Sequence, residues 1–248
     1  MEKSLVLMDT YVTIWVFYQD LNRAAVEQAI ADATERMSAI DSLCNRYREN
    51  SEINRVNRLA GRQSVALSND MATVLQRALQ VSRLSNGLFD PTVGVLLIRY
   101  GFGRSDTLHL MSEAERHSLL PLVHYENIRL RGDSVRFAID GLTLDLGGIA
   151  KGYAVDEAMN MLQARGITDA QIDAGGDLVT ISSPLTAGRR HIYIRHPRDR
   201  EKFFGRFRMD TGTVATSGDY ERFFMYNGER FHHLLDPRTG LPARLCRS

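Results

Sequence analysis

The chain has 248 residues, of which 44% are hydrophobic and 25% charged, and a formal net charge of +1. These are the proportions of an ordinary globular protein of one large domain or two small ones sharing a core. The near-zero charge gives no electrostatic case for nucleic acid or an anionic membrane as partner, so any basic character has to be local. No apolar run reaches the ~18 residues of a membrane span, and the N-terminus enters an alternating stretch without a secretory signal. Cys44 and Cys246 lie far apart with neither CxxC nor Cys/His spacing. Spacing therefore indicates no zinc site and no disulfide framework, and the two thiols pair only if the fold joins them.

In chain order, 11–17 alternates and is rich in β-branched and aromatic residues, which predicts a strand. Asn22 caps a helix whose apolar positions Val26, Ile30, Ala33, Met37 and Ile40 fall at three- and four-residue steps. A second helix starts at Ser68, turns Met71, Leu75, Ala78 and Leu79 inward, and stops near Asn86-Gly87, where glycine takes the left-handed conformation. Ser112 and Glu115 form a capping-box pattern opening a third, shorter helix. The runs 128–130 and 135–139 flank Gly132-Asp133 as a hairpin. Residues 142–146 predict a strand that leads through a glycine turn into a helix from about Tyr153 to Gly166. Strands follow near 170–172, 192–194 and 207–209. Helices mixed with mostly hairpin-connected strands indicate an α+β fold rather than a doubly wound sheet.

Four segments carry residues suited to chemistry. Leu144-Asp145-Leu146-Gly147-Gly148-Ile149-Ala150-Lys151-Gly152-Tyr153 joins strand to helix, and backbone N–H groups with a lysine at a helix start favour phosphate. Its spacing is neither GxGxxG nor a P-loop, and a plain glycine-rich connection with a solvated lysine accounts for the same residues. In Asn86-Gly87-Leu88-Phe89-Asp90-Pro91-Thr92-Val93-Gly94 the proline pushes Asp90 to an extended conformation, so that its carboxylate projects from the turn. Phe89 packs there either on a planar ligand or on ordinary core. In Ile172-Asp173-Ala174-Gly175-Gly176-Asp177-Leu178 paired glycines permit a close backbone approach to a ligand, or mark a strand bend. In Phe231-His232-His233-Leu234-Leu235-Asp236-Pro237-Arg238 the adjacent histidines point to opposite faces, so one of them suits a general base in a given pocket. Arg238 is a candidate phosphate contact.

The order of these segments is more specific than any one of them. Met8-Asp9-Thr10, Tyr47-Arg48 with Ser51-Glu52-Ile53, then GLFDPTVG, LDLGGIAKGYAVD, DAGGDL, ATSGDYERFF and HHLLDPRTG resemble the ApbE family of FAD:protein FMN transferases, from about Met8 to about Pro242. The resemblance implies one T-fold-like α+β domain over residues 1–248, with mixed sheets and packed helices. It implies an enzyme that transfers FMN from FAD to a Thr or Ser hydroxyl of an acceptor flavoprotein subunit, releases AMP and uses Mg²⁺. It places Met8, Tyr47, Leu88, Phe89 and Asp90 at the flavin, Asp145 and Lys151 on the FAD, and the Gly148 carbonyl on Mg²⁺. His233, beside Leu234, becomes the catalytic or substrate-positioning base, with a nearby carboxylate as the other candidate, and Lys151 adds charge stabilisation. Family members continue past DPxTG into strands and a helix whose Asp and Thr or Ser complete the metal site. This sequence ends at Ser248, so those C-terminal elements are expected to be missing, or supplied by an oligomer or a second chain. The alternative activities are FAD binding without catalysis and FAD hydrolysis to FMN and AMP. The resemblance also implies a periplasmic or membrane-associated setting, with the cytoplasm as the alternative.

Overall fold

The structure is a computed structural model that describes residues 1–102, 109–184, 186–199, 201–220 and 222–244. Cys246 lies outside them, while Cys44 is buried. In chain order the elements are β1 (Glu2–Leu7), β2 (Thr10–Val16), α1 (Arg23–Cys44), α2 (Glu52–Leu59), β3 (Val65–Ala66), α3 (Asn69–Leu84), α4 (Gly94–Arg99) and α5 (Glu113–Leu119). Then come β4 (Ile128–Arg131), β5 (Ser134–Phe137), α6 (Ala150–Ala164), β6 (Ala170–Ala174), β7 (Asp177–Ile181), β8 (His191–Arg195), β9 (Phe203–Arg208) and β10 (Gly212–Val214). The chain continues through β11 (Phe223–Tyr226), β12 (Glu229–His232), β13 (Leu235–Asp236) and β14 (Leu241–Pro242). The fold is mixed α+β with several small sheets. No helix among the described residues is long and apolar enough to cross a membrane.

The chain divides into two compact units, Met1–Asp41 with Ala150–Ser217, and Ser42–Ile149 with Gly218–Ser248. The first is built on a sheet of order β1-β2-β6-β7-β10, every neighbouring pair antiparallel. Alternation in β2 turns Val12, Ile14 and Val16 fully inward, each worth about 1.5–3 kcal/mol of apolar burial. α6 lies against β6 and β7 with Ala154, Val155, Ala158 and Leu162 buried. The stripe Val26, Ile30, Ala33, Met37 and Ile40 of α1 is buried as its spacing predicts. Asn22 accepts the Ala24 N–H at the start of that helix.

The second unit pairs β3-β5-β4 and sets Leu96, Leu97, Tyr100, Phe102, Met111, Val123 and Phe231 in one core cluster. Ser68 caps α3 through the Met71 N–H, and Ser112 with Glu115 makes the full capping box of α5. Beyond α3, Asn86 and Gly87 take φ of 51° and 76°, the left-handed stop that glycine makes cheap.

Two expectations differ. Residues 142–146 form no strand, only a parallel bridge between Val93 and Thr143. The neighbouring strand is replaced by a side chain: Asn57 of α2 accepts the Leu144 N–H at 2.8 Å and donates to the Leu144 carbonyl at 3.1 Å. Leu142, Leu144 and Leu146 are still buried, so the apolar alternation is real without a ladder. The following helix begins at Ala150, not Tyr153, which brings Lys151 and Gly152 into its first turn.

Candidate functional site

In the second unit, α2 organises the segment that carries Asp145. Asn57 holds Leu144 from both sides, and Asp145 N–H reaches the Pro91 carbonyl at 2.8 Å. One Asp145 oxygen accepts the Gly147 N–H at 2.8 Å, closing the turn. The other meets Arg46 Nε at 2.5 Å. Both side chains are nearly buried, 10% exposed for Arg46 and 14% for Asp145, so the pair is a fixed part of the site rather than a solvated contact.

Arg46 also donates through Nη2 to the Tyr47 hydroxyl at 2.9 Å and to the Phe102 carbonyl at 2.5 Å. Its guanidinium lies 4.4 Å from the Tyr47 ring centroid. Asn54 in turn donates to the carbonyls of Arg46 and Arg48. Tyr47 is thereby oriented through both its ring and its hydroxyl, and Arg222 Nη1 approaches the same hydroxyl at 3.5 Å.

His233 follows β12 directly. The Arg222 carbonyl accepts its backbone N–H at 3.1 Å and lies 3.1 Å from its Nδ1. A carbonyl can only accept, so Nδ1 carries the proton and Nε2 keeps its lone pair. Burial holds the imidazole below its ordinary pKa, while the Arg222 carbonyl opposes part of that shift. A neutral ring with Nε2 free is a general base at neutral pH. The Phe102 ring stands at its edge, 6.4 Å between centroids. The neighbouring His232 is buried, with Nε2 bonded to the Ala243 carbonyl at 2.8 Å. Of the two histidines His233 is the one suited to chemistry, and Leu234 beside it is half-buried.

Leu88, Phe89 and Asp90 fall in the same unit in three different roles. Leu88 is 56% exposed. Phe89 lies over Gly148, where an added Cβ would come within 3.1 Å of the ring, a tight contact that the ring would have to yield to. The Asp90 carboxylate does not project. One oxygen accepts from Thr92 N–H and hydroxyl at 2.8 and 2.6 Å, the other from Tyr125 N–H at 2.9 Å. Asp90 thus ties its turn together, as a carboxylate buried in a loop must. Arg238 likewise folds back onto Asp236 at 2.7 Å, which holds that carboxyl below its usual pKa range.

The first unit holds the remaining candidates. Met8 and Asp9 are the two turn residues between β1 and β2, where Leu7 pairs with Thr10. Both take positive φ, 55° and 56°, a strained choice for non-glycine residues that costs about 1–3 kcal/mol each and concentrates at functional positions. Gly175 and Gly176 make the corresponding two-residue turn between β6 and β7, with φ of 63° and 93°. A Cβ on Gly175 would collide with Thr10. Lys151, in the first turn of α6, is paired with Asp177 at 2.9 Å and is 30% exposed. An anion at Lys151 would therefore compete with that carboxylate.

Sequence reasoning passed over Arg46, Asn57 and Arg222. Arg46 adjoins Tyr47, and the three-residue spacing of Ser51, Asn54 and Asn57 was the available signal for a polar helix face turned toward the chain.

Residues 8–248 match the ApbE family. The FAD:protein FMN transferase of Vibrio cholerae serotype O1 is 30% identical over 239 residues, covering 87% of this chain and 67% of that protein. That of Klebsiella pneumoniae is 30% identical over 245 residues, covering 96% and 72%. The crystal structure of the ApbE protein from Thermotoga maritima superposes with a TM-score of 0.88 at 32% identity, covering 98% of this chain and 78% of that one. An α+β fold and relatives of this kind make the protein an enzyme of the transferase class. The chain belongs to the ApbE family.

Proposed function

We propose that the protein transfers FMN from FAD to a Thr or Ser hydroxyl of an acceptor protein and releases AMP, acting as one functional domain over residues 1–248. The observation that carries this reading is the His233 imidazole, neutral by burial and fixed by the Arg222 carbonyl in the tautomer that leaves Nε2 unprotonated. In the reaction the acceptor oxygen attacks the phosphorus of the FMN half as its proton passes to Nε2. The bond from that phosphorus to the bridging oxygen breaks, and AMP leaves with the electron pair. Tyr47, oriented by Arg46, and Phe89 with Leu88 offer the apolar and aromatic surface that an isoalloxazine requires. Asp145 keeps Arg46 in place and closes the Gly147 turn. Asp90 supports the flavin position indirectly, by fixing the turn that carries Phe89, and Leu234 flanks the base. The parts given to Met8 as a flavin contact and to Lys151 as a diphosphate contact rest on the resemblance and on their own geometry in the first unit.

The Mg²⁺ that the resemblance implies does not fit the described residues alone. They contain no group of three or more His, Cys, Asp or Glu able to hold a metal, and the Gly148 carbonyl is one donor where Mg²⁺ takes six oxygens. Asp145, the nearest carboxylate in sequence, spends its oxygens on Arg46 and Gly147.

The test is incubation with FAD and a candidate acceptor, with and without added Mg²⁺, followed by AMP release and flavin label on the acceptor. AMP with a labelled acceptor is expected. AMP without label would reassign the site to FAD hydrolysis, and bound FAD without AMP to binding alone.

A further inference from the structure

The ribbon of β8 and β9 has a charge character unlike the rest of the chain. Residues 191–208 contain six Arg or Lys against two acidic residues, in a protein whose formal net charge is only +1. The pairing sorts them. His191 faces Arg208, Tyr193 faces Arg206, and Arg195 faces Phe203, so these six side chains share one face. Tyr193 and Phe203 touch, with ring centroids 5.0 Å apart. All six are exposed, and among the described residues Arg195, Arg206 and Arg208 enter no ion pair. Cationic side chains set together on one small face repel one another.

The far end of the ribbon is bare on both sides. On the opposite face Ile192, near the root, is 9% exposed, but Ile194 is 41% exposed. At the bulge between the strands Phe203 and Phe204 are 61% and 78% exposed. A tip with exposed rings, Ile194 open on the opposite face and arginines behind them has the apolar-then-cationic order of a bilayer interface. Aromatic rings seated at headgroup level with arginines reaching phosphates are how such a surface meets a bilayer.

We propose that the β8–β9 ribbon docks the protein on an anionic bilayer surface, Phe203 and Phe204 entering the interface and Arg195, Arg206 and Arg208 contacting lipid phosphates. This stands independently of the flavin chemistry. The test is co-sedimentation of the whole chain with vesicles of phosphatidylcholine alone or mixed equally with phosphatidylglycerol. Pelleting is expected with the anionic vesicles, and it should fall as salt is raised. Each Arg→Gln change at 195, 206 or 208 is expected to lower partitioning roughly fivefold. Phe203→Ser with Phe204→Ser should lower it as well, with unchanged thermal unfolding showing that the fold survives. A control removes charge from the other arginine hairpin, Arg129→Gln with Arg136→Gln, a cross-strand pair on β4 and β5, and should pellet like the parent. The proposal is overturned if pelleting is absent, equal on neutral vesicles, or equally sensitive to the control. It is also overturned if sedimentation without vesicles reveals a dimer that the Phe203/Phe204 changes abolish, which would give the surface to a second copy.

Discussion

Replacing Arg46 by methionine keeps an apolar stem of similar length and removes only the guanidinium. Asp145 is then left 14% exposed without its cation, and the Phe102 carbonyl and Tyr47 hydroxyl each lose a donor. Stranding one member of a nearly buried ion pair costs about 3–5 kcal/mol, and an unmet acceptor about 1–3 kcal/mol. Because these share one guanidinium they do not add, and a net loss of about 3–4 kcal/mol is expected. Urea unfolding at neutral pH measures it, and in a chain of this size the thermal midpoint should drop by roughly 6–16 °C. Adding Asp145→Asn to Arg46→Met removes the stranded charge while keeping an oxygen for the Gly147 N–H, and should recover about half of the loss. FAD affinity should fall in Arg46→Met, because the Tyr47 ring loses the contact that orients it. A loss below about 1 kcal/mol, or strict additivity of the two changes, would refute the reasoning that the pair is a buried clamp.

Further outcomes follow from the same geometry. His233→Asn should slow AMP release while FAD titration stays unchanged; full activity removes His233 from the mechanism. Burial lowers the folded pKa of His233, so the acid limb of the kcat profile should lie below the ordinary imidazole value of about 6.5. The sign for stability follows: the unfolded state takes up the proton first, so this group's contribution is full above about pH 6.5 and is lost as pH falls toward the folded value. An acid limb above that value would contradict the burial effect. Lys151→Ala should weaken FAD binding in a fluorescence titration, and an unchanged affinity would withdraw the diphosphate role. Gly175→Ala should destabilise the first unit by about 1–3 kcal/mol, since φ of 63° and the contact with Thr10 both oppose a Cβ; denaturant midpoints decide.

What the sequence made legible was whatever a local period or cap encodes. The apolar stripe of α1, the capping box at Ser112 and the glycine stop after α3 each rest on residues within a few positions of one another. The 142–146 segment misled because burial produces the same alternation whether the backbone partner is a strand or the Asn57 amide. Short α2 and α4 were not read as helices, since eight and six residues carry too little period. The order of motifs pointed to the family, and the site is only partly local. Tyr47, Asp145 and His233 stand out by type, but Arg46 acquires its role from Phe102 and Asp145, which no spacing reveals. Asp90 shows the opposite error: its place before Pro91 suggested a carboxylate projecting from the turn, while its oxygens are committed to Thr92 and Tyr125.

Successive histidines here hold their protons on opposite ring nitrogens, His232 on Nε2 toward Ala243 and His233 on Nδ1 toward Arg222. Imidazole nitrogen resonances would therefore separate the two at a glance, one residue reporting the interior of the second unit and the next its reactive side.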